Sequence, residues 1–483
     1  MNPATHSDPL WTAEAMAAAM HADRQGALPA AITGVSIDTR TVAPGEAFFA
    51  IKGDSRDGHD FVEAALAAGA IAVVARERRA QFAVDAPLLV VDDVLDGLRD
   101  LGRAARRRSA ARIVAVTGSV GKTSTKEALR LALSADGKTH ASVASYNNHW
   151  GVPLTLARFP ASAKYGVFEI GMNHAGEIAP LAQMVRPHVA IVTTVEPVHL
   201  EYFGSVEAIA DAKAEIFTGL EPQGVAVLNR DNAQFARLAA AAKAAGVARI
   251  VSFGEAEEAD VRARRVHLHP AGSVVDAVVL GEEITYKLGA PGRHQVANSL
   301  AVLAAVVLSG ADLALAALTL AQLQPPVGRG ARLSLMMPEG GTALLIDESY
   351  NANPASMRAA IALLGQASVG LRGRRIAVLG DMLELGPQSE ALHAGLAAAL
   401  VEADIDLVFC AGPMMHALFE ALPSTRRGGY AETAARLESV LASLLRAGDA
   451  VMVKGSLGSK MGPVVKALTR AFPVSAAAED APA

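Results

Sequence analysis

The stretch IVAVTGSVGKTSTKEAL, residues 113–129, decides the fold: a β-branched apolar run, a turn holding two glycines, Lys-Thr, and then an amphipathic helix. A strand that feeds directly into a helix leaves the first helical N–H groups without intrahelical partners, aimed at whatever occupies the turn. An anionic phosphate satisfies them. Gly118 and Gly121 let the backbone curl around phosphate oxygens, Lys122 reaches the β- and γ-phosphates, and the Thr123 hydroxyl is placed to ligate Mg²⁺. The usual pattern is GxxxxGK[ST]; here Val116 stands where the first glycine belongs, so only the GxxGKT portion fits. The bland alternative is a plain strand–turn–helix with a solvent-facing lysine, and the apolar strand with its following helix argues against it.

Outward from this loop, 483 residues are too many for one core and suggest about three domains of ~150 residues each. Hydrophobic residues make up 51% and charged ones 19%, which excludes global disorder. With 44 basic against 49 acidic residues the net charge is −5, so nucleic acid is not an expected partner. The single cysteine, Cys410 in the apolar run LVFC, fits a reducing, cytoplasmic setting. The opening MNPATHSDPLW has no Lys or Arg before Arg24 and does not read as a signal peptide. VANSLAVLAAVVLSGADLALAAL, from Val296, carries Asn298, Ser299, Ser309 and Asp312 and reads as a buried helix pair, not a membrane span.

Residues 1–108 alternate short strands with alanine-rich helices, a small α/β domain closed by the basic helix end RAARRR, which reads as a solvated surface at the boundary. Residues 109–325 give IVAVTG, YGVFEIG, VAIVTTV, GVAVLNRD and RIVSFG, the pattern of buried parallel strands, followed by three alternating runs that predict a small antiparallel subsheet. Pro325-Pro326 with Gly328 and Gly330 marks a hinge. Residues 326–483 repeat the α/β rhythm as a doubly wound, Rossmann-like domain and end in an acidic, alanine-rich tail, SAAAEDAPA, expected to fray. The fold class is therefore α/β in three domains, with a mainly parallel central sheet of phosphate-loop type.

Candidate chemistry sits at strand ends. Glu169 lies near the carboxyl end of an otherwise apolar strand, where a buried carboxylate wants a cation such as Mg²⁺, or failing that an arginine. His199 follows a strand in a proline-bearing turn, and Lys213 lies on the helical stretch after it. Each alone reads as a satisfied or solvated residue; their place after successive strands of one nucleotide-binding unit raises them. Arg293, His294 and Asn298 open a later helix, Asn298 being able to read an adenine edge. Arg329 and Arg332 follow in GRGARL, and Asp347, Tyr350, Asn351 and Asn353 occupy a loop between strand and helix.

Taken together, TGSVGKTS, NNHWGVPLTL, EIGMNHAGEI, VHLEYFGS, AKAEIF, GRHQVANSLA, DESYNANPASM, VLGDMLELG and VKGSLGSKM resemble the Mur ligase family, in family order and over nearly the whole chain. The shortened loop with Thr117 ahead of Gly118 is the family's own variant. The resemblance implies a domain for the UDP end of a substrate, a central ATPase and a mobile carboxyl-terminal domain. It implies that ATP lies on Thr117, Gly118, Ser119, Val120, Gly121, Lys122, Thr123 and Ser124, with Asn298, Arg329, Asp347 and Asn351 completing the site. It further implies that Thr123, Glu169, His199 and Lys213 serve Mg²⁺, Lys213 as a carbamate, and that Lys122, Lys213 and His199 are catalytic. Substrate contacts are implied at Ser36, Thr39, Arg40, Asp57, His59, Asn147 and Asn148. Arg332 competes with Arg329 for the phosphate role, and Val195-Glu196-Pro197-Val198 departs from the small residues usual before the histidine.

DGHDF, the SYNANP loop and GDMLELG resemble the member that joins D-alanyl-D-alanine to a UDP-N-acetylmuramoyl-tripeptide, working as a monomer. Two other readings stay open here: a related amide ligase such as a folylpolyglutamate synthase, and a non-enzymatic nucleotide switch, for which no NKxD-type motif is present.

Overall fold

The computed structural model describes residues 9–143, 145–198 and 200–475; the acidic tail beyond Ser475, and His199, lie outside the described residues. Strands β1 (Asp23–Gln25), β2 (Val35–Ser36), β3 (Ala47–Phe49), β4 (Ile71–Ala75) and β5 (Leu88–Val91) form a first sheet in the order β1-β5-β4-β3-β2, parallel except for β1. Helix α1 (Val94–Arg108) follows, capped by Asp93, whose carboxylate accepts from the Asp96 N–H. Its Leu98, Leu101 and Ala105 are fully buried in one apolar cluster that runs from Trp11 and Phe49 through to Ile113, Leu181 and Phe217. The first sheet and the central one thus share a core.

That packing corrects the reading of RAARRR as a solvated surface at Arg106, while Arg103, Arg107 and Arg108 are exposed as expected. Arg106 is buried, and its guanidinium donates to the Val185 and Arg186 carbonyls and to Glu221. Arg108 lies 3.5 Å over the Trp11 ring and donates to the Leu10 carbonyl. Both cations fasten the helix end to neighbouring elements; only the tertiary partners, which lie dozens of residues away, reveal this.

The central unit comprises β6 (Arg112–Thr117), α2 (Lys122–Ser134), β7 (Thr139–Ala141), β8 (Tyr165–Glu169), α3 (Ile178–Val185), β9 (Val189–Val192), α4 (Val206–Ala214), β10 (Val225–Asn229), β11 (Arg249–Gly254), β12 (Val261–His269), β13 (Gly272–Val279), β14 (Glu282–Leu288) and α5 (Arg293–Leu308). Its nine strands run β14-β13-β12-β11-β10-β9-β6-β8-β7. From β11 to β7 the pairing is parallel, and β12, β13 and β14 form the antiparallel extension that the alternating runs predict. Because β6 is covered on both faces, its side chains divide between two cores: Ile113 and Ala115 into one, Val114 and Val116 into the other with Leu129 and Leu133 of α2. Each such fully buried aliphatic side chain contributes about 1.5–3 kcal/mol. Helix α5 is buried along most of its length as expected, Leu313–Leu320 is buried only through Leu313, Ala316, Ala317 and Leu320 with Leu315 and Leu318 exposed, and among the described residues no helix is long and apolar enough to cross a membrane.

The third sheet contains β15 (Ala331–Met336), β16 (Thr342–Glu348), β17 (Arg375–Gly380), β18 (Leu407–Ala411), β19 (Arg427–Ala431) and β20 (Ala450–Lys454), in the order β15-β16-β20-β17-β18-β19, with β15 antiparallel. Helix α6 (Pro354–Gly365) follows β16, started by Asn353 and Ser356 as a reciprocal capping box. The turn proposed as a hinge is bonded to this sheet: Gly328 N–H donates to Asp347, Gly330 N–H to the Asp347 carbonyl, and Tyr350 N–H to the Gly328 carbonyl.

Candidate active site

Strand β6 ends beside β8 and β9, with Val116 opposite Glu169 and Thr117 opposite Val192, so three strand ends open onto one crevice. The loop after β6 turns at Gly118 (φ +146°) and Gly121 (φ +86°), conformations that L side chains rarely adopt. Space is a second constraint. A Cβ on Gly118 would run into the Thr193 hydroxyl, and one on Gly121 would stand 2.9 Å from Asn298 Oδ1. Thr193 donates to the Val120 carbonyl at 2.5 Å, while Ser119 Oγ donates to the Glu196 carbonyl and accepts from the Glu196 N–H at 2.9 Å. The unusual Val195-Glu196 turn therefore holds the loop. Burial raises the Glu196 carboxyl above its ordinary range.

Lys122 Nζ folds back onto the loop, donating to the Gly118 carbonyl at 2.7 Å. Burial pulls its ammonium below the ordinary lysine value, Glu169 opposes that shift, and Arg329 adds to it. Glu169, 1% exposed, accepts from Thr123 Oγ1 at 2.9 Å and from Asn147 Nδ2 at 2.7 Å. Two neutral donors do not balance a buried carboxylate. A carboxylate and a hydroxyl are hard oxygen donors, and they fit Mg²⁺, which takes one or two carboxylates and fills its octahedron with phosphate oxygens and water. Among the described residues no group of three His, Cys, Asp or Glu side chains converges as a self-sufficient metal cage.

Lys213, at the end of α4, is 2% exposed, and among the described residues no carboxylate forms a salt bridge with it. Burial first, and the Lys122 charge second, hold its ammonium well below the ordinary value. Lys122 thus senses Glu169, Arg329 and Lys213, while Lys213 lies behind the adjoining cleft and is not one of its walls.

A cleft of about 1300 Å³ joins this site to the third sheet. Its walls include Ser119, Val120, Gly121, Lys122, Ser124, Asn147, Asn148, Glu169, Asn298, Arg329 and Asn351. Arg329 lies 4.3 Å over the Tyr350 ring and reaches Ser145 Oγ at 3.4 Å, bridging the central and third sheets. Arg332 is not a wall residue; its Nη1 is buried without a hydrogen-bond partner among the described residues. The structure separates the two arginines that the sequence left in competition.

Asp347 is placed elsewhere than expected. It is 4% exposed, with Oδ1 accepting from Ser349 N–H and Oγ and Oδ2 from Gly328 N–H, so its carboxylate organises the turn and does not wall the cleft. The neighbouring Glu348 does face the cleft, paired with Lys454 at 3.1 Å; Lys454 also donates to the Asn351 carbonyl at 2.9 Å. Sequence reasoning missed Glu348 and Lys454. The signal was the one used for Glu169, a charged residue closing an apolar strand, and it was present in both LLIDES and VMVKGS.

The amino-terminal candidates form a separate group. His59 Nδ1 donates to Asp57 Oδ1 at 2.6 Å, its Nε2 accepts from the Ala75 N–H, and Arg78 pairs with Asp57 Oδ2 at 2.7 Å. Ser36 bonds to the Asp38 backbone, and Arg40 pairs with the Asp38 carboxylate at the surface. Neither these residues nor Thr39 wall the cleft, but Arg99 and Arg103 of α1 do.

Sequence models described as the Mur ligase family catalytic domain, the Mur ligase middle domain and the Mur ligase glutamate ligase domain match residues 31–106, 116–306 and 331–457. The UDP-N-acetylmuramoyl-tripeptide–D-alanyl-D-alanine ligase of Escherichia coli is 36% identical over 444 residues, spanning 90% of this chain and 94% of that one. The crystal structure of MurF from Acinetobacter baumannii superposes with a TM-score of 0.82 at 31% identity, covering 95% of this chain and 99% of the other. MurF ligase from Thermotoga maritima in complex with ADP gives 0.74 at 26%, covering 91% and 97%. The phosphate loop, the strand-end carboxylate and the match over all three sheets lead to one conclusion: the chain belongs to the Mur ligase family.

Proposed function

We propose that the chain is an ATP-dependent ligase that joins the amine of D-alanyl-D-alanine to the terminal carboxylate of a UDP-N-acetylmuramoyl-tripeptide, making the pentapeptide precursor of peptidoglycan. The relatives' names favour this acceptor over that of a folate-type ligase. The observation that carries the chemistry is the meeting of Lys122, Glu169 and Arg329 on one cleft between two sheets.

A carboxylate is a poor acyl donor, and transfer of the ATP γ-phosphoryl group to it gives an acyl phosphate and ADP. The Gly118–Lys122 amides receive the phosphates, and Lys122 exchanges the Gly118 carbonyl for phosphate oxygens. Arg329 adds a second positive charge from the opposite wall. Mg²⁺, when bound, neutralises phosphate charge; Glu169 and Thr123 hold it, with His199 and a carbamylated Lys213 as further ligands. Lys213 suits carbamylation because burial favours its neutral amine over the ammonium, and the amine nitrogen adds to CO₂ with loss of one proton. The acceptor amine then attacks the acyl carbon, and phosphate leaves. Closure of the cleft would exclude water from the acyl phosphate.

The residues before about 109, with Ser36, Thr39, Arg40, Asp57 and His59, hold the UDP end, and Asn147 and Asn148 the peptide end. Asn298 and Asn351 contact the nucleotide, joined by Glu348 in the place first given to Asp347. The cleft is completed within one chain, which suits a monomer, and the buried Cys410 suits the reducing cytoplasm. Hydroxylamine tests the acyl phosphate. Added to protein, ATP and the UDP-tripeptide without D-alanyl-D-alanine, it gives a tripeptide hydroxamate; ATP cleavage without hydroxamate overturns the mechanism.

A further inference from the structure

Glu215 follows Lys213 by two residues, on the turn Glu215–Gly219 that continues α4. Its side chain crosses to another element. Oε1 accepts from the Gly176 N–H at 2.6 Å, and Oε2 accepts from the Ile178 and Ala179 N–H groups, each at 3.1 Å. These are the amides that open α3, the helix entered from the loop after Glu169. A carboxylate on the free N–H groups of a helix start gains both charge-assisted hydrogen bonds and the favourable helix dipole. The same two elements touch again at Gly219, which lies so close to the Ala182 carbonyl and Gln183 nitrogen that a Cβ would collide with that backbone. Two independent contacts thus weld the element carrying Lys213 to the one that follows Glu169.

We infer that Glu215 is a positioning residue for the ATP site: by clamping the Gly176–Ala179 backbone, it sets the spacing between Glu169 and Lys213. Its carboxylate is engaged with three backbone amides. The inference rests on the proposed roles of Glu169 and the Lys213 carbamate. Glu215→Ala removes all three bonds, Glu215→Gln keeps one acceptor oxygen, and Gly219→Ala strains the same weld from the other side.

Two readouts on the full chain decide it: the Mg²⁺ dependence of acceptor-driven ATP turnover, and the ¹³C-carbamate NMR signal of Lys213 under ¹³C-bicarbonate, assigned by its loss in Lys213→Arg. The apparent KM for Mg²⁺ should rise about 10- to 100-fold in Glu215→Ala, with a smaller rise in Glu215→Gln and Gly219→Ala. The carbamate signal should weaken in the same order, and the KM for D-alanyl-D-alanine should stay at the parent value. Should Glu215→Ala fail to fold, Glu215→Gln and Gly219→Ala decide. Folded variants with the parent's Mg²⁺ dependence and carbamate signal overturn the inference, as does a loss confined to thermal stability. A parent chain with neither carbamate nor turnover overturns the underlying reading, and the inference with it.

Discussion

The Thr123 hydroxyl donates to Glu169 Oε2 at 2.9 Å, joining the first turn of the helix after the phosphate loop to the end of the neighbouring strand. This bond fixes the carboxylate before any phosphate arrives, and Asn147 fixes its other oxygen at 2.7 Å. Replacing Glu169 by Gln should lower kcat by about 100-fold or more while leaving the thermal midpoint equal or higher, since a buried charge is removed with little change of shape. Asn147→Ala should cost about 10- to 100-fold through a misdirected Glu169. Steady-state kinetics beside thermal unfolding check both; a sharp fall in stability of Glu169→Gln with kcat retained would assign the carboxylate to the fold.

Gly118→Ala tests the loop. Its Cβ would meet the Thr193 hydroxyl in a backbone conformation (φ +146°) that itself disfavours a side chain, with strain of about 1–3 kcal/mol. ATP affinity should fall more than stability, because the loop moves before the sheet does. Thr193→Ala in the same chain should restore part of the affinity. Equilibrium nucleotide binding measures this, and parent-like affinity in Gly118→Ala would show that the loop does not hold phosphate.

Arg329→Ala and Arg332→Ala should separate cleanly. Arg329 walls the cleft and stacks on Tyr350, so its loss should lower kcat/KM for ATP by about 10²–10³-fold. Arg332 carries a buried Nη1 with no partner among the described residues and does not wall the cleft, so its loss should leave kcat/KM within a few fold. The opposite pattern would reverse the two assignments.

Stability should fall on mild acidification. His140 and His188 are both pushed down to about 4, first of all by burial, and the His188 Nδ1 accepts a hydrogen bond from the Ile113 N–H. Their unfolded value is about 6.5. Between those values the unfolded chain binds more protons, so the stabilisation is complete above about pH 6.5 and is lost as pH falls towards 4. Discounted for partial solvent access, each should cost on the order of 1–2 kcal/mol between pH 7 and 5. Urea midpoints at the two pH values, in the parent and His140→Gln, measure it; an equally steep loss in the variant would remove His140 from the account.

Most of the architecture was legible because buried parallel strands are written as unbroken apolar runs: IVAVT, YGVFE and VAIV each need cover on both faces, and the structure supplies it. Lys122 and Glu169 stood out for a related reason, as charges at the ends of such runs. What stayed hidden depends on which side of a strand a residue falls. Asp347 and Glu348 are adjacent, so they point to opposite faces, and the chain alone does not say which face meets the cleft. Arg106 looked solvated because its carbonyl partners are remote in sequence. Glu215 is not distinguished by the sequence, because its partners are three amides at least 36 residues away.

The most direct test of the central claim is phosphate release from ATP by the purified chain with the UDP-linked tripeptide, measured before and after addition of D-alanyl-D-alanine. The account predicts a large acceptor-dependent rise, with one pentapeptide formed for each phosphate released. Phosphate release that does not change when the dipeptide is added would contradict it.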